Sequence, residues 1–113
     1  MERGRNFLGG SCGFAGTCGG AFGVGIVLSM VKKTTPLHEK ERSQVMEAVS
    51  DTLTQIAKYP RRCCKRSSYI AIQKAVQYLK REGYGALNHR AIVCPWHAQN
   101  KMCLGSSCLF FRN

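Results

Sequence analysis

The clearest periodicity lies between Ser67 and Glu82, where Ile72, Ala75, Val76 and Leu79 recur at the spacing of one helical face. That stripe predicts a helix capped by Ser67; Lys80 and Arg81 suit the negative end of its dipole, and Gly83 or Gly85 can terminate it. A second helix is predicted from Pro36 to about Lys58, with Thr35 as N-cap and Pro36 at the first helical position, where its missing N–H costs nothing. Val45, Met46, Val49, Leu53 and Ile56 share a face of this helix and are expected in the core. Glu39, Glu41, Glu47 and Asp51 take the solvated side.

Upstream, the stretch from Phe7 to Val31 carries no charge. Gly9 to Gly25 reads as a glycine-rich loop that passes into a helix continuing to about Val31. The densely apolar part begins only at Ala21, so it falls short of the roughly 20 residues that cross a bilayer, and no membrane span is expected. Lys32 and Lys33 follow directly, with no small-residue cleavage site, which argues against a secretory signal. The ordered glycines of a dinucleotide loop are missing too. Downstream, Ala86 to Asn113 has no long periodic pattern, although Leu109-Phe110-Phe111 could anchor it on the helices. The pattern predicts an all-α domain over residues 1–113: a small bundle of three main helices, a glycine-rich N-terminal loop and an irregular, cysteine-rich C-terminal segment.

Cysteine is the residue type that changes this picture. Seven thiols in 113 residues are an odd number, which cannot pair completely within one chain. A reducing cytoplasm with metal-bound or redox-active thiols is therefore expected in preference to a disulfide scaffold. The spacings match neither the C-x2-C pairs of zinc ribbons nor the C-x2-C-x2-C run of bacterial ferredoxins. Cys63 and Cys64 precede a helix and sit among Arg61, Arg62, Lys65 and Arg66, an environment that favours thiolate over thiol. Adjacent cysteines cannot easily both ligate one tetrahedral ion, so Cys64 is assigned as a ligand and Cys63 as a redox thiol. In the other reading, one of the pair points into the core.

Further ligands come from both ends of the chain. Cys94-Pro95-Trp96-His97, followed by Cys103 and Cys108, offers three thiolates and an imidazole to zinc or to a cluster. His89 and His97 are weaker ligand candidates than the cysteines, and His38 is weaker again. Cys12 and Cys18 lie among Gly13, Gly16, Gly19 and Gly20, whose backbone could approach an iron–sulfur cluster and donate to its sulfides. The same glycines would equally permit tight helix packing. No Ser-His-Asp or Cys-His-Asn arrangement is defensible.

The formal net charge is +11, enough to attract nucleic acid, anionic lipid or an acidic protein. With no RNA-binding signature or basic stripe interleaved with aromatics, nucleic acid is a secondary expectation, and an ordinary solvated basic surface accounts for the charge.

Several segments together resemble a known family. These are Cys12-Gly13-Phe14-Ala15-Gly16-Thr17-Cys18-Gly19-Gly20-Ala21, Gly23-x-Gly25-Ile26, Thr35-Pro36-Leu37, Pro60-Arg61-Arg62-Cys63-Cys64-Lys65-Arg66 and Asn100-Lys101-x-Cys103-x-Gly105-x-x-Cys108. They resemble a cysteine-rich domain of unknown function found alone or joined to radical-SAM proteins in anaerobic bacteria and archaea. The resemblance implies an anaerobic cytoplasm and an iron–sulfur context, with no activity attached. The expected function is thus a metal-binding protein, with an iron–sulfur cluster preferred to zinc, that supports electron transfer or cluster chemistry of a partner enzyme, for which a radical-SAM protein is the candidate. It is not expected to be a self-sufficient enzyme. Cys64, Cys94, Cys103 and Cys108 are the first ligands expected, with Cys12 and Cys18 next. Two competitors stand beside this reading. One is a thiol–disulfide protein in which Cys63 or Cys64 attacks and Cys12 or Cys18 resolves; the other is a basic adaptor with structural cysteines.

Overall fold

The order of elements follows from where the chain can cap and stop a helix. The structure, a computed structural model, describes residues 2–85 and 91–111. After a 3-10 turn at Glu2–Asn6 come α1 (Ser11–Phe14), α2 (Gly19–Val31), α3 (Glu39–Ala57) and α4 (Cys64–Arg81), and a last 3-10 turn spans Gly105–Ser107. The architecture is all-helical, with three long helices and a short fourth. No helix among the described residues is long and apolar enough to cross a membrane.

Two helix starts differ from expectation, each for a local reason. Thr35 to His38 form a turn in which the His38 N–H donates to the Thr35 carbonyl at 3.0 Å and the Leu37 N–H to Thr35 Oγ1 at 3.3 Å. Pro36 therefore serves the turn, and α3 begins at Glu39. The last helix begins three residues before the expected Ser67 cap, because Cys63 takes that role: its backbone is extended and its sulfur accepts the Arg66 N–H at 3.4 Å. At the other end, Gly83 (φ 99°) takes the left-handed position after α4, and the Tyr84 N–H returns to the Leu79 carbonyl at 3.1 Å.

Helix α2 lies against both α3 and α4. Val24 and Leu28 of α2 meet Val45 and Ala48 of α3 and Ala71 of α4, and Ala75, Tyr78 and Leu79 close around them. Burying each such Val or Leu contributes about 1.5–3 kcal/mol. The seam is built from small residues. A Cβ on Gly20 would stand 3.1 Å from the Ser67 carbonyl oxygen and 3.3 Å from Ala71 Cβ, and one on Gly25 would stand 2.9 Å from Val49 Cγ2. The α3 stripe is accordingly Val45, Ala48 and Thr52, with the Thr52 hydroxyl satisfied by the Ala48 carbonyl at 2.8 Å. Met46, expected in the core, is 57% exposed; Ile72 of α4 is 49% exposed, and the α4 stripe turns instead through Ile70 and Ala71. Close helix approach selects small side chains, and larger apolar neighbours are turned outward.

One polar contact ties α3 to α4. Asp51 accepts from Lys74 Nζ and from the Tyr78 hydroxyl, both at 2.9 Å. The hydrogen bond from Lys74 holds the Asp51 carboxyl below its ordinary value, partial burial opposes that, and the Tyr78 hydroxyl adds to the lowering. Burial, then the bond to Asp51, pushes the Tyr78 hydroxyl up.

Two outcomes follow for stability. Gly23→Ala in α2, where a Cβ meets nothing within 4 Å, should raise the Tm through a gain of about 0.5–1 kcal/mol in helix propensity, whereas Gly20→Ala should lower it. Thermal melts giving the opposite order would contradict the close α2–α4 contact. Asp51→Asn should cost about 1 kcal/mol or less at neutral pH, the Asp51 side chain being 37% exposed and screened. Because the folded carboxyl titrates below its unfolded value of 3.8, this contribution is present above that pH and disappears as pH falls through the lower folded value. Melts from pH 7 to pH 2 should show variant and parent converging at the acid end.

Candidate metal centre

The start of α4 and the C-terminal segment build one site between them. Cys63 caps α4, and one turn and two turns further on the same helix side carries Arg66 and Tyr69. Across from them, the C-terminal segment is held in a chain of turns. The Gln99 N–H donates to Trp96 O at 3.1 Å, Cys103 N–H to Asn100 O at 3.1 Å and Cys108 N–H to Gly105 O at 2.9 Å. The Cys94 N–H closes the segment on itself by reaching the Phe110 carbonyl at 2.8 Å. Phe110 is buried and sets its ring against Tyr69, with centroids 5.3 Å apart at 68°. This is the apolar anchor that docks the segment on the bundle, while its neighbour Leu109 points to solvent.

Between the two lies a pocket lined by Cys63, Cys94, Cys103 and Cys108 together with Arg66, Tyr69, His97, Asn100, Phe110 and Phe111. All seven cysteines of the chain are free thiols, and these four are half-buried. The pocket is narrow, with a cavity of about 20 Å³. Among the described residues, no three His, Cys, Asp or Glu side chains stand in an arrangement that could hold a single metal ion.

Donors converge on the sulfurs. The Cys63 sulfur accepts from the Arg66 N–H and from Asn100 Nδ2, each at 3.4 Å. The Cys94 sulfur accepts from the Trp96 N–H at 3.4 Å, and that of Cys103 from the Gly105 N–H at 3.3 Å. Burial first, then the nearby Cys94 and Cys63 sulfurs, push the Tyr69 hydroxyl above the usual phenol range. Arg66 is 4% exposed, donates to the Arg61 carbonyl and lies over the Tyr59 ring at 4.8 Å. It has no carboxylate partner among the described residues, so a buried cation lines the same pocket as the sulfurs.

The expected residues are thus distributed unevenly. Cys94, Cys103 and Cys108 come together as anticipated, but the fourth sulfur is that of Cys63, and Cys64 is exposed outside the pocket. The cap explains the exchange: an extended Cys63 aims its sulfur back over the first turn, whereas Cys64 already belongs to the helix. Cys12 lies exposed in α1 and Cys18 half-buried at the start of α2, and neither lines the pocket. Of the glycines proposed to cradle a cofactor, a Cβ on Gly20 would run into α4 and one on Gly19 would stand 3.4 Å from the Phe7 ring. A Cβ on Gly13 or Gly16 would meet nothing within 4 Å. His97 lines the pocket with its ring edge-on to Phe111 at 4.9 Å, His38 is exposed before α3, and His89 lies outside the described residues. Arg66, Tyr69 and Asn100 were not anticipated. The three- and six-residue offsets from Cys63 could have revealed the first two, since they share its helical side.

No curated protein and no solved structure matches the chain. Residues 1–111 match the family described as "Family of unknown function (DUF5714)", and the chain, cysteine-rich and all-helical, belongs to that family.

Proposed function

We propose that Cys63, Cys94, Cys103 and Cys108 hold an iron–sulfur cluster, and that the chain supports electron transfer or cluster chemistry of a partner enzyme. The observation that carries this reading is the gathering of four thiols, one from a helix cap and three from a segment without long helices, around one pocket. Four thiolates suit either a zinc ion or a cluster. One zinc would need its sulfurs to meet at a point, about 3.8 Å apart for tetrahedral bonds of 2.3 Å. A cluster would spread its cysteine ligands over more than one iron, and so would not ask all four to meet at one point. Cys103 and Cys108 close turns and Cys94 lies in irregular chain, a framework that can widen to admit it.

The surroundings suit an anionic thiolate cluster. Peptide N–H groups and the Asn100 amide donate to ligand sulfurs, and such bonds together with burial set a cluster's potential. Arg66 supplies a buried positive charge that thiolate ligands would neutralise. When bound, the cluster would supply one-electron chemistry; the chain's own part is to position the sulfurs, donate hydrogen bonds and limit water. An anaerobic, cytoplasmic setting and a radical-SAM partner belong to this proposal through the family resemblance.

Oxygen-free purification followed by iron, zinc and acid-labile sulfide analysis tests it. Iron and sulfide in comparable amounts, with a visible band bleached by dithionite, are expected. Serine at Cys63, Cys94, Cys103 or Cys108 should remove most of the iron, and serine at Cys12, Cys18 or Cys64 should leave it. Zinc in place of iron would overturn the cluster, and a colourless, metal-free protein whose thiol count falls with oxidant would favour thiol–disulfide exchange. Loading should also order the C-terminal segment, so limited trypsin digestion at Lys101 should slow by about tenfold or more in the loaded protein. Equal rates would count against a cross-linking role for the site.

A further inference from the structure

The charged residues that line the cysteine pocket or adjoin its lining in sequence are all cations. The chain's side-chain carboxylates stop at Asp51 and resume only at Glu82, after which there are none. Both are engaged elsewhere: Asp51 pairs with Lys74, roughly 16 Å along α4 from Cys63, and Glu82 pairs with Lys32 at the far end of that helix. At the pocket, Arg61, Arg62, Lys65 and Lys101 are exposed neighbours of the lining residues, and none forms an ion pair with a described residue. Trp96 and Met102, beside His97 and Cys103, are 48% and 49% exposed, and the Lys65 ammonium sits 5.4 Å from the Trp96 ring.

We propose that this mouth is a docking surface for an acidic protein, with Trp96 and Met102 as apolar anchors and Arg61, Arg62, Lys65 and Lys101 as the cations that meet its carboxylates. The proposal deepens the cluster reading by naming the chemistry of its partner, and it places the partner's surface over the thiols. Aromatic, methionine and arginine side chains are those enriched in interface centres, and unpaired cations around them select a carboxylate-rich surface and speed its approach. The compact patch also distinguishes a protein from single-stranded nucleic acid, which asks for a groove that tracks successive phosphates and a series of stacking rings. Here one ring is exposed, with a lysine over it.

Titration calorimetry on the full chain tests the surface, using a flavodoxin as an acidic electron-carrier probe and an oligouridylate as the nucleic-acid probe. Flavodoxin should bind, and raising salt from about 0.05 to about 0.3 M should weaken it by about tenfold. The double variant Arg62→Glu/Lys101→Glu should weaken it by about tenfold, and Trp96→Ala by at least about fivefold, whereas Lys40→Glu on α3 should change it by less than about twofold. Circular dichroism melts establish that the variants fold, and iron content reports the cluster independently. Patch-dependent binding in an iron-free protein would sink the cluster reading and leave the docking surface standing. No flavodoxin binding, an equal loss with Lys40→Glu, or tighter binding of oligouridylate than of flavodoxin would overturn the surface.

Discussion

The sulfur of Cys63 is where the two parts of this molecule meet. It accepts the Arg66 N–H, which starts α4, and the Asn100 amide, which belongs to the C-terminal segment. A serine or aspartate could cap the helix equally well. Only cysteine caps it and at the same time adds a thiol to the pocket lined by Cys94, Cys103 and Cys108. The cap therefore sets the helix start, the outward course of Cys64 and the position of the pocket together.

The rest of the bundle serves to hold α4 still. Gly20 brings α2 to within contact of the Ser67 carbonyl, one turn above the cap, and Ala71 continues that seam into the core. Phe110 against Tyr69 then docks the C-terminal segment on the next exposed turn of the same helix. Val93, Trp96, Met102 and Leu109 of the segment stay exposed, so its docking rests on that buried ring and on the hydrogen bonds to sulfur.

Much of this was legible in the amino-acid pattern, and the parts that were not have specific causes. The α4 helix was readable from its apolar stripe and its terminal glycine, and the grouping of Cys94, Cys103 and Cys108 from their isolation in an irregular segment. The stripe's exact phase was not, because contacts through Gly20, Ala48 and Ala71 select small residues that a search for large apolar ones passes over; Met46 and Ile72 were misplaced for that reason. The choice between Cys63 and Cys64 turned on a sulfur cap, a role usually looked for in Ser67. Arg66 was hidden in a run of six basic or thiol residues that reads as solvated surface, and its burial follows from packing that only the folded chain provides.

The central claim is that the helix cap and the C-terminal turns bring four sulfurs to one metal cluster. Its most direct test is a crystal structure of protein purified and crystallised without oxygen, with diffraction recorded on both sides of the iron absorption edge. The account predicts anomalous density bonded to Cys63, Cys94, Cys103 and Cys108. Iron bound at Cys12 and Cys18, or four sulfurs turned away from a common centre, would contradict it.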